Sequence, residues 1–363
     1  MARVLNFNAG PAALPLAALE KAQQELLDFQ GTGMSLMEHS HRGKDYDALH
    51  QKTVALMREH LSVPDDYHVM FLQGGASQQF AVVPMNLLPK DKSADYVLTG
   101  AWGQKAFSEG KNCGTVRVAA TTEDNKAFVR IPKPDEIKVD PNAAYLHFTS
   151  NETIHGVQFV DSYPETGSVP LVCDMSSDFM WRKFDVKRFG LIYAGAQKNI
   201  GPSGVTVVIA RKDLVDKGRT DIPKIFRYST QAGENSMYNT CPTFGIYMIH
   251  NVMQWIKDVG GLDQIEKWNR EKAKAVYDFL DSHSSFYRAP VQKDSRSVMN
   301  IVFRLPSEEL ETKLINEAKK AGMVGLKGHR SVGGIRISAY NAVSVQSVNT
   351  LLGFMETFAK QNG

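Results

Sequence analysis

Two stretches decide the fold: Leu171–Asp178, LVCDMSSD, and Gly190–Gly204, GLIYAGAQKNIGPSG. Each opens on a short unbroken apolar run and closes on polar and small residues. A run of this kind has no polar face, as a strand covered on both sides requires. Similar runs recur along the chain: Val69–Leu72, Tyr96–Gly100 (YVLTG), Thr115–Ala119 (TVRVA), Ala144–Phe148 (AYLHF) and Val205–Ala210 (VTVVIA), separated by helix-length or loop-rich stretches. Alternating strands and helices predict an α/β fold, a mainly parallel sheet flanked by helices. Near the start, Leu16, Leu19, Leu26 and Leu27 fall at helical spacing and predict a helix ending near Gly31 and Gly33.

The pattern changes around Gly260-Gly261. Two long helical patterns, Phe244–Val259 and Leu262–Leu280, lead to a strand-like VMNIVFRL, a helix over Glu308–Ala321, a strand at GIRIS and a last helix to Phe358. The expected division is a large domain over 1–261 and a smaller C-terminal α/β domain over 262–363, with the segment 1–15 at the site edge or packed on the small domain. A length of 363 residues fits about two domains, and 43% hydrophobic with 22% charged residues excludes collagen, coiled coil and wholesale disorder.

Lys and Arg number 42 against 39 Asp and Glu, a net charge of +3, too small a surplus for a nucleic-acid footprint. Any positive charge the function needs is therefore local. No apolar run reaches the ~18 residues of a membrane span, and MARVLNFNAGPA lacks the apolar core of a signal peptide, so the expectation is a cytoplasmic protein with no membrane partner. Cys113, Cys173 and Cys241 are odd in number and far apart, which predicts small buried hydrophobes rather than disulfides or a zinc knuckle. His39 and His41 lack a completing Cys, Asp or Glu at ligand spacing, so no metal is expected, and His39 and His50 read as structural.

In parallel sheets, ligands sit beyond the carboxyl ends of the strands. One strand there ends in Asp174, and 24 residues later another leads into Gln197-Lys198. A plain salt bridge at this place would cost the desolvation of both ions. The chemical alternative is that Lys198 forms a Schiff base with pyridoxal phosphate while Asp174 pairs with the pyridine nitrogen and keeps it protonated. The turn Gly74-Gly75-Ala76-Ser77 enters a helix, where free N–H groups and the helix dipole attract phosphate, although it is neither a dinucleotide fingerprint nor a Walker loop. Trp102, following YVLTG, can lie flat on an aromatic ring. Arg336, between Ile335 and Ile337 in a strand, turns its guanidinium away from the apolar face and suits a carboxylate.

FNAGPAALP, SHRG, LQGGAS, TSNETIHG, CDMSSD, YAGAQKNIGPSG, YNT and KGHRSVGGIRISAYNA occur in this order, from residue 6 to the last helix. In these motifs the chain resembles the phosphoserine aminotransferases, fold-type-I enzymes dependent on pyridoxal phosphate. The resemblance implies transamination between L-glutamate and 3-phosphohydroxypyruvate, giving 3-phospho-L-serine and 2-oxoglutarate, with 4-phosphohydroxy-L-threonine as a further product in pyridoxine biosynthesis. It implies that Lys198 and Asp174 are catalytic, that Trp102 stacks on the ring, and that Thr153 lies on its phenolic-oxygen side. Ala76, Ser77 and Gln197 would hold the cofactor phosphate, joined by Asn239 and Thr240 from the other subunit of a homodimer. His41, Arg42, His329 and Arg330 would bind the substrate phosphate, converging with Arg336 on a pocket between the domains.

Two positions depart from the family pattern. Ser77 stands where some members have Arg, and Cys241 where many have Pro, which places a thiol beside Asn239 and Thr240. Three other readings stay open. Another aminotransferase of this fold would keep Lys198 and Asp174 without needing four cationic groups; a cysteine desulfurase would need a cysteine in a mobile loop; and a non-catalytic phosphate-binding protein would use the glycine turn and the His-Arg pairs alone.

Overall fold

A computed structural model describes residues 3–363. The chain opens with β1 (Leu5–Asn6), α1 (Leu16–Gln24) and α2 (Lys44–Leu61), then runs β2 (Tyr67–Gln73), α3 (Ala76–Leu87), β3 (Ser93–Leu98), α4 (Ala101–Cys113) and β4 (Thr115–Thr121). A small hairpin, β5 (Glu123–Asp124) and β6 (Ala127–Phe128), precedes β7 (Leu146–Thr149), and a second, β8 (Asn151–Glu152) and β9 (Val157–Gln158), follows it. Next come β10 (Leu171–Asp174), β11 (Leu191–Gly195), β12 (Val205–Arg211), α5 (Lys212–Asp216), α6 (Tyr228–Gly233), α7 (Thr243–Asp258) and α8 (Gly261–Ser282). The chain closes with β13 (Asn300–Phe303), α9 (Glu308–Lys320), β14 (Met323–Val324), β15 (Ile335–Ser338) and α10 (Val345–Asn362).

The central sheet has seven strands in the order β2-β12-β11-β10-β7-β3-β4, all parallel except β12, which runs against both neighbours. Alternation along a strand explains why its strands read as unbroken apolar runs. In β11, Ile192 and Ala194 point into one core with α2 and α7, while Leu191 and Tyr193 point into another with α3 and α4. Both faces are thus covered, and each buried Leu or Val contributes on the order of 1.5–3 kcal/mol through removal from water.

A third apolar cluster gathers β13 and β15, α9, α10, the end of α8 and Phe7. Helix α8 links this cluster to the first: Leu262 and Ile265 pack with the sheet helices, Val276 and Leu280 with the C-terminal strands. The N-terminal segment ties in as well, since β1 pairs in parallel with β14, and Ala12 N–H donates to the Gln197 carbonyl.

A buried polar seam joins the two regions. Asn151 Nδ2 donates to Ser177 Oγ and to Asn300 Oδ1, each at 2.8 Å, and Asn300 Nδ2 donates to Ser338 Oγ and Tyr340 Oη. Satisfied buried networks of this kind rigidify. This one ties β15, the strand that carries Arg336, through β13 to β8.

The first helix is shorter than its leucine spacing predicts. It stops at Gln24, and Leu26 and Leu27 remain exposed, because the chain bends where Glu25 Oε2 accepts a hydrogen bond from Tyr247 Oη at 2.6 Å. Cys173 and Cys241 are buried but Cys113 is half-buried, and all three are free thiols. No helix among the described residues is long and apolar enough to cross a membrane.

Candidate active site

Strands β10 and β11 are parallel neighbours, with Asp174 paired to Tyr193, so both deliver their carboxyl ends to one side of the sheet. Asp174 ends β10. Its Oδ1 accepts from Ser176 N–H at 2.9 Å and from Ser176 Oγ–H at 2.6 Å, and no protein donor among the described residues bonds Oδ2. Burial raises its pKa, opposed by the positive charge of Lys198 and by the two Ser176 bonds.

Lys198 lies in the turn between β11 and β12, which is closed by Ile200 and Gly201 N–H groups donating to the Ala196 carbonyl. Its neighbour Asn199 anchors that turn from both ends, donating to the Phe179 carbonyl and accepting from Asn341 N–H. Gly10, at φ +141°, passes directly over the lysine, and a side chain there would meet Lys198 Cγ at 3.4 Å. Burial lowers the Lys198 pKa, with Asp174 and Glu152 pulling it back up. Its Nζ stands 5.4 Å from the centre of the Trp102 ring.

Trp102 is the second residue of α4, and its indole N–H donates to Thr153 Oγ1 at 2.8 Å. The Thr153 carbonyl in turn accepts from Arg336 Nη1 at 3.0 Å, while Arg336 Nε is buried without a partner. Thr153 therefore connects the aromatic wall to the guanidinium. In β15, Ile335 and Ile337 are buried in the C-terminal core and Arg336 faces the other way.

Helix α3 begins at Ala76 after the extended Gly75, with no side-chain cap. Its first N–H groups are therefore free for an anion. A Cβ on Gly75 would come within 3.8 Å of Gln197 Nε2, so the Gln197 amide faces this helix start, and its Oε1 is buried with no partner. An uncapped helix N-terminus, an unsatisfied amide, a carboxylate with one free oxygen, a flat indole and a poorly solvated lysine suit the phosphate, pyridine and aldehyde groups of pyridoxal phosphate.

The residues expected on the substrate side are less concentrated. His329 and Arg336 line one cavity of about 200 Å³ together with His155, Phe128 and Val332. His329 Nδ1 bonds Ser331 Oγ at 2.7 Å, and its pKa is lowered by partial burial and then by Arg336. The loop that carries it is tightly folded: a side chain at Gly328 would overlap the Gly333 carbonyl. Arg330 is exposed.

His41 and Arg42 sit elsewhere, just before α2, which packs on α7. Neither lines the cavity of His329 and Arg336, and no hydrogen bond joins them to that loop among the described residues, so one chain does not bring all the cationic groups together. His41 Nε2 is buried and unpartnered, and Arg42 is exposed. Asn239 and Thr240 meet Gln73, whose Nε2 donates to the Thr240 carbonyl at 2.7 Å, and no hydrogen bond ties them to Ala76, Ser77 or Gln197 of the same chain. Ser77 is exposed.

His39 contacts Thr32 and Phe29, and buried His50 contacts Tyr46 and Phe71. The Cys241 Sγ lies 3.0 Å from Tyr46 Oη, and burial pushes its pKa up, the opposite of what an oxidisable thiolate needs.

Sequence reasoning passed over two buried acids. Glu152 immediately precedes Thr153, and Asp178 accepts from Ser150 Oγ and from Gln158 Nε2. Each is pushed up to about 7 by burial. Their one sequence signal is an ionisable residue inside a stretch otherwise built to be buried, NETIHGVQF and MSSDFMW.

Residues 4–351 match the family model for class-V aminotransferases. A phosphoserine aminotransferase of Niallia circulans is 54% identical over 361 residues, covering 99% of each chain. The structure of a phosphoserine aminotransferase from Bacillus circulans subsp. alkalophilus superposes with a TM-score of 0.97 at 54% identity, covering 99% of both chains. A PLP-bound phosphoserine aminotransferase from Trichomonas vaginalis superposes with a TM-score of 0.93 at 38% identity, covering 98% of this chain and all of that one. The chain belongs to the class-V aminotransferases and, within them, to the phosphoserine aminotransferase family.

Proposed function

We propose that this protein is a pyridoxal-phosphate-dependent phosphoserine aminotransferase, exchanging the amino group between L-glutamate and 3-phosphohydroxypyruvate to give 3-phospho-L-serine and 2-oxoglutarate, a step in serine biosynthesis. The observation that carries the reading is the grouping at the strand ends of Lys198 with Asp174, of Trp102 with Thr153 and Lys198, and of Gln197 with the uncapped start of α3. When bound, pyridoxal phosphate supplies a conjugated ring that accepts the electron pair left when the substrate loses its α-proton.

Lys198 is the proton carrier. Burial destabilises its ammonium form, so its neutral amine is available to take the α-proton as base and to return it as acid. Asp174, with Oδ1 occupied by Ser176, would pair with the pyridine nitrogen through Oδ2 and favour that nitrogen's proton by its charge. Ala76 and Ser77 N–H groups and Gln197 would hold the cofactor phosphate, and Trp102 would stack on the ring. Arg336 takes the substrate α-carboxylate with the edge of its fork that Thr153 leaves free.

His329 and Arg330 bind the substrate's phosphate, a dianion at neutral pH that needs its own cationic anchor. In a homodimer each loop is present twice, so His41 and Arg42, remote in one chain, and Asn239 and Thr240 complete the site across the subunit interface. The same two clamps suit 4-phosphohydroxy-L-threonine, which carries the same two anions. A cofactor domain over 1–261 and a smaller domain over 262–363 is supported by the separate C-terminal apolar cluster, although Leu262 and Ile265 of α8 pack in the first cluster and Phe7 in the C-terminal one.

The test is the half-reaction with single amino donors, followed by the change in the visible band of the holoenzyme. Phosphoserine and glutamate should both react, and serine should react at least ~100-fold less efficiently, since it forfeits more than one charge-assisted bond of about 1.5–3 kcal/mol. Arg330→Ala and Arg42→Ala should each raise KM for phosphoserine by about 10-fold or more. Equal efficiency with serine and phosphoserine would place the protein among aminotransferases of another substrate.

A further inference from the structure

Glu152 is fully buried and both of its oxygens bond backbone. Oε2 accepts from Trp102 N–H at 3.0 Å and Oε1 from Gly103 N–H at 2.8 Å. These are the second and third residues of α4, so the carboxylate closes a helix N-terminus, where N–H groups lack partners and the dipole favours negative charge. A glycine makes its approach possible. A side chain at Gly100 would overlap the Glu152 carboxyl group, and one at Gly103 would stand 3.4 Å from Oε1. Gly100 has an extended backbone at φ 170°, so space rather than conformation calls for glycine there.

The residue after Glu152 holds the indole itself, through Thr153 Oγ1. Trp102 is thus gripped by its own backbone N–H, by that of its neighbour and by its ring N–H, all from the dipeptide Glu152-Thr153. Three such restraints leave neither the register of α4 nor the plane of the indole free. A buried carboxylate is a costly anchor where a packed apolar residue would hold a helix as well. Glu152 also adds negative charge on the side of Lys198, whose pKa it helps to raise.

We infer that Glu152 is a positioning residue, acting through Trp102 to fix the indole plane against which the cofactor ring stacks. The inference rests on the reading of Trp102 as the stacking residue of a pyridoxal-phosphate site. Burial holds the Glu152 pKa at about 7, with the Trp102 and Gly103 N–H groups working to lower it, so its hold on α4 weakens on protonation.

A double-mutant cycle on the holoenzyme tests it. Apoprotein of wild type, Glu152→Gln, Trp102→Ala and the double variant is titrated with pyridoxal phosphate, reading the visible band and its circular dichroism. Glutamine keeps the size of the side chain but offers one acceptor oxygen and turns an NH₂ group toward the second N–H. The expected result is a Kd raised about 10-fold and a weakened visible dichroic signal in Glu152→Gln, but less than a twofold further change in Kd when Glu152→Gln is added to Trp102→Ala. Gly100→Ala, which displaces the carboxylate while keeping its charge, should reproduce the single-variant result and serves where Glu152→Gln does not fold. A Kd and dichroic signal unchanged from wild type, or the same 10-fold effect with and without the indole, would overturn the positioning role. Wild-type protein that takes up no pyridoxal phosphate would instead overturn the proposed function, so the wild-type titration separates the two failures.

Discussion

In Arg336→Lys the positive charge stays and the fork goes. The guanidinium donates through Nη1 to the Thr153 carbonyl at 3.0 Å, and its Nε is buried with no partner. The edge formed by Nε and Nη2 is therefore free for a carboxylate and can bind it with two parallel hydrogen bonds. Lysine presents one point of charge, so one charge-assisted bond of about 1.5–3 kcal/mol is lost. At about 1.4 kcal/mol per factor of ten, kcat/KM should fall about 10- to 150-fold.

The loss should be the same, within about threefold, for glutamate and phosphoserine, because both present an α-carboxylate. The lysine retains the positive charge that bears on Lys198, so the visible band should keep its position. Stopped-flow half-reactions with each donor give the two values of kcat/KM directly. An unchanged kcat/KM for both would remove Arg336 from the substrate site, and a loss confined to phosphoserine would move it to the phosphate.

Two further outcomes follow from buried titratable groups away from the chemistry. Lys272 donates to three backbone carbonyls, those of Ala339, Tyr340 and Val343, at 2.7–2.9 Å. Lys272→Met leaves all three short of a donor and should lower stability to urea by about 3 kcal/mol, at roughly 1 kcal/mol per bond; a loss below about 0.5 kcal/mol would show that water replaces the ammonium. His147 is buried beside Tyr96 and Tyr193, and burial lowers its pKa from 6.5 to about 3. The folded state then binds fewer protons than the unfolded one between these values, so the stability this group confers above pH 6.5 is lost as pH falls toward 3. Buried Glu152 and Asp178, with raised values, act in the opposite sense, so the quantity to follow is the stability difference between wild type and His147→Gln. It should shrink between pH 6.5 and 4, and a constant difference would contradict the assignment.

The strands and their chemical ends were legible because a doubly covered strand leaves an unmistakable apolar run, and a Lys and an Asp at neighbouring strand ends have few inexpensive structural explanations. Direction was not legible: Val205–Ala210 is as apolar as its parallel neighbours, and nothing in side-chain alternation records that β12 runs the other way. Leucine spacing overran α1, since periodicity shows where a helix has an apolar face and cannot show that Leu26 and Leu27 find no core to bury against. The Gly260-Gly261 break marks a helix boundary, yet the core does not break there, because α8 packs at its two ends on different clusters.

In the candidate site, the residues placed at strand ends and helix starts were legible, and those placed by contact with distant residues were not. Glu152 reads as an ordinary surface acid until Gly100, some fifty positions upstream, is seen to make room for it. The two His-Arg pairs look equivalent in sequence. In one chain His329 shares a cavity with Arg336, and His41 and Arg42 line no part of it.

The proposed covalent attachment of the cofactor to Lys198 is open to a direct measurement. The purified holoenzyme is reduced with borohydride and digested, and the peptides are sequenced by mass spectrometry, with Lys198→Ala treated in parallel. The prediction is a yellow protein that borohydride bleaches, a pyridoxyl group found on Lys198 within the Ala196–Gly204 turn, and no trapped adduct in Lys198→Ala. A pyridoxyl group on another lysine, or a wild-type protein that stays colourless when pyridoxal phosphate is supplied, would contradict it.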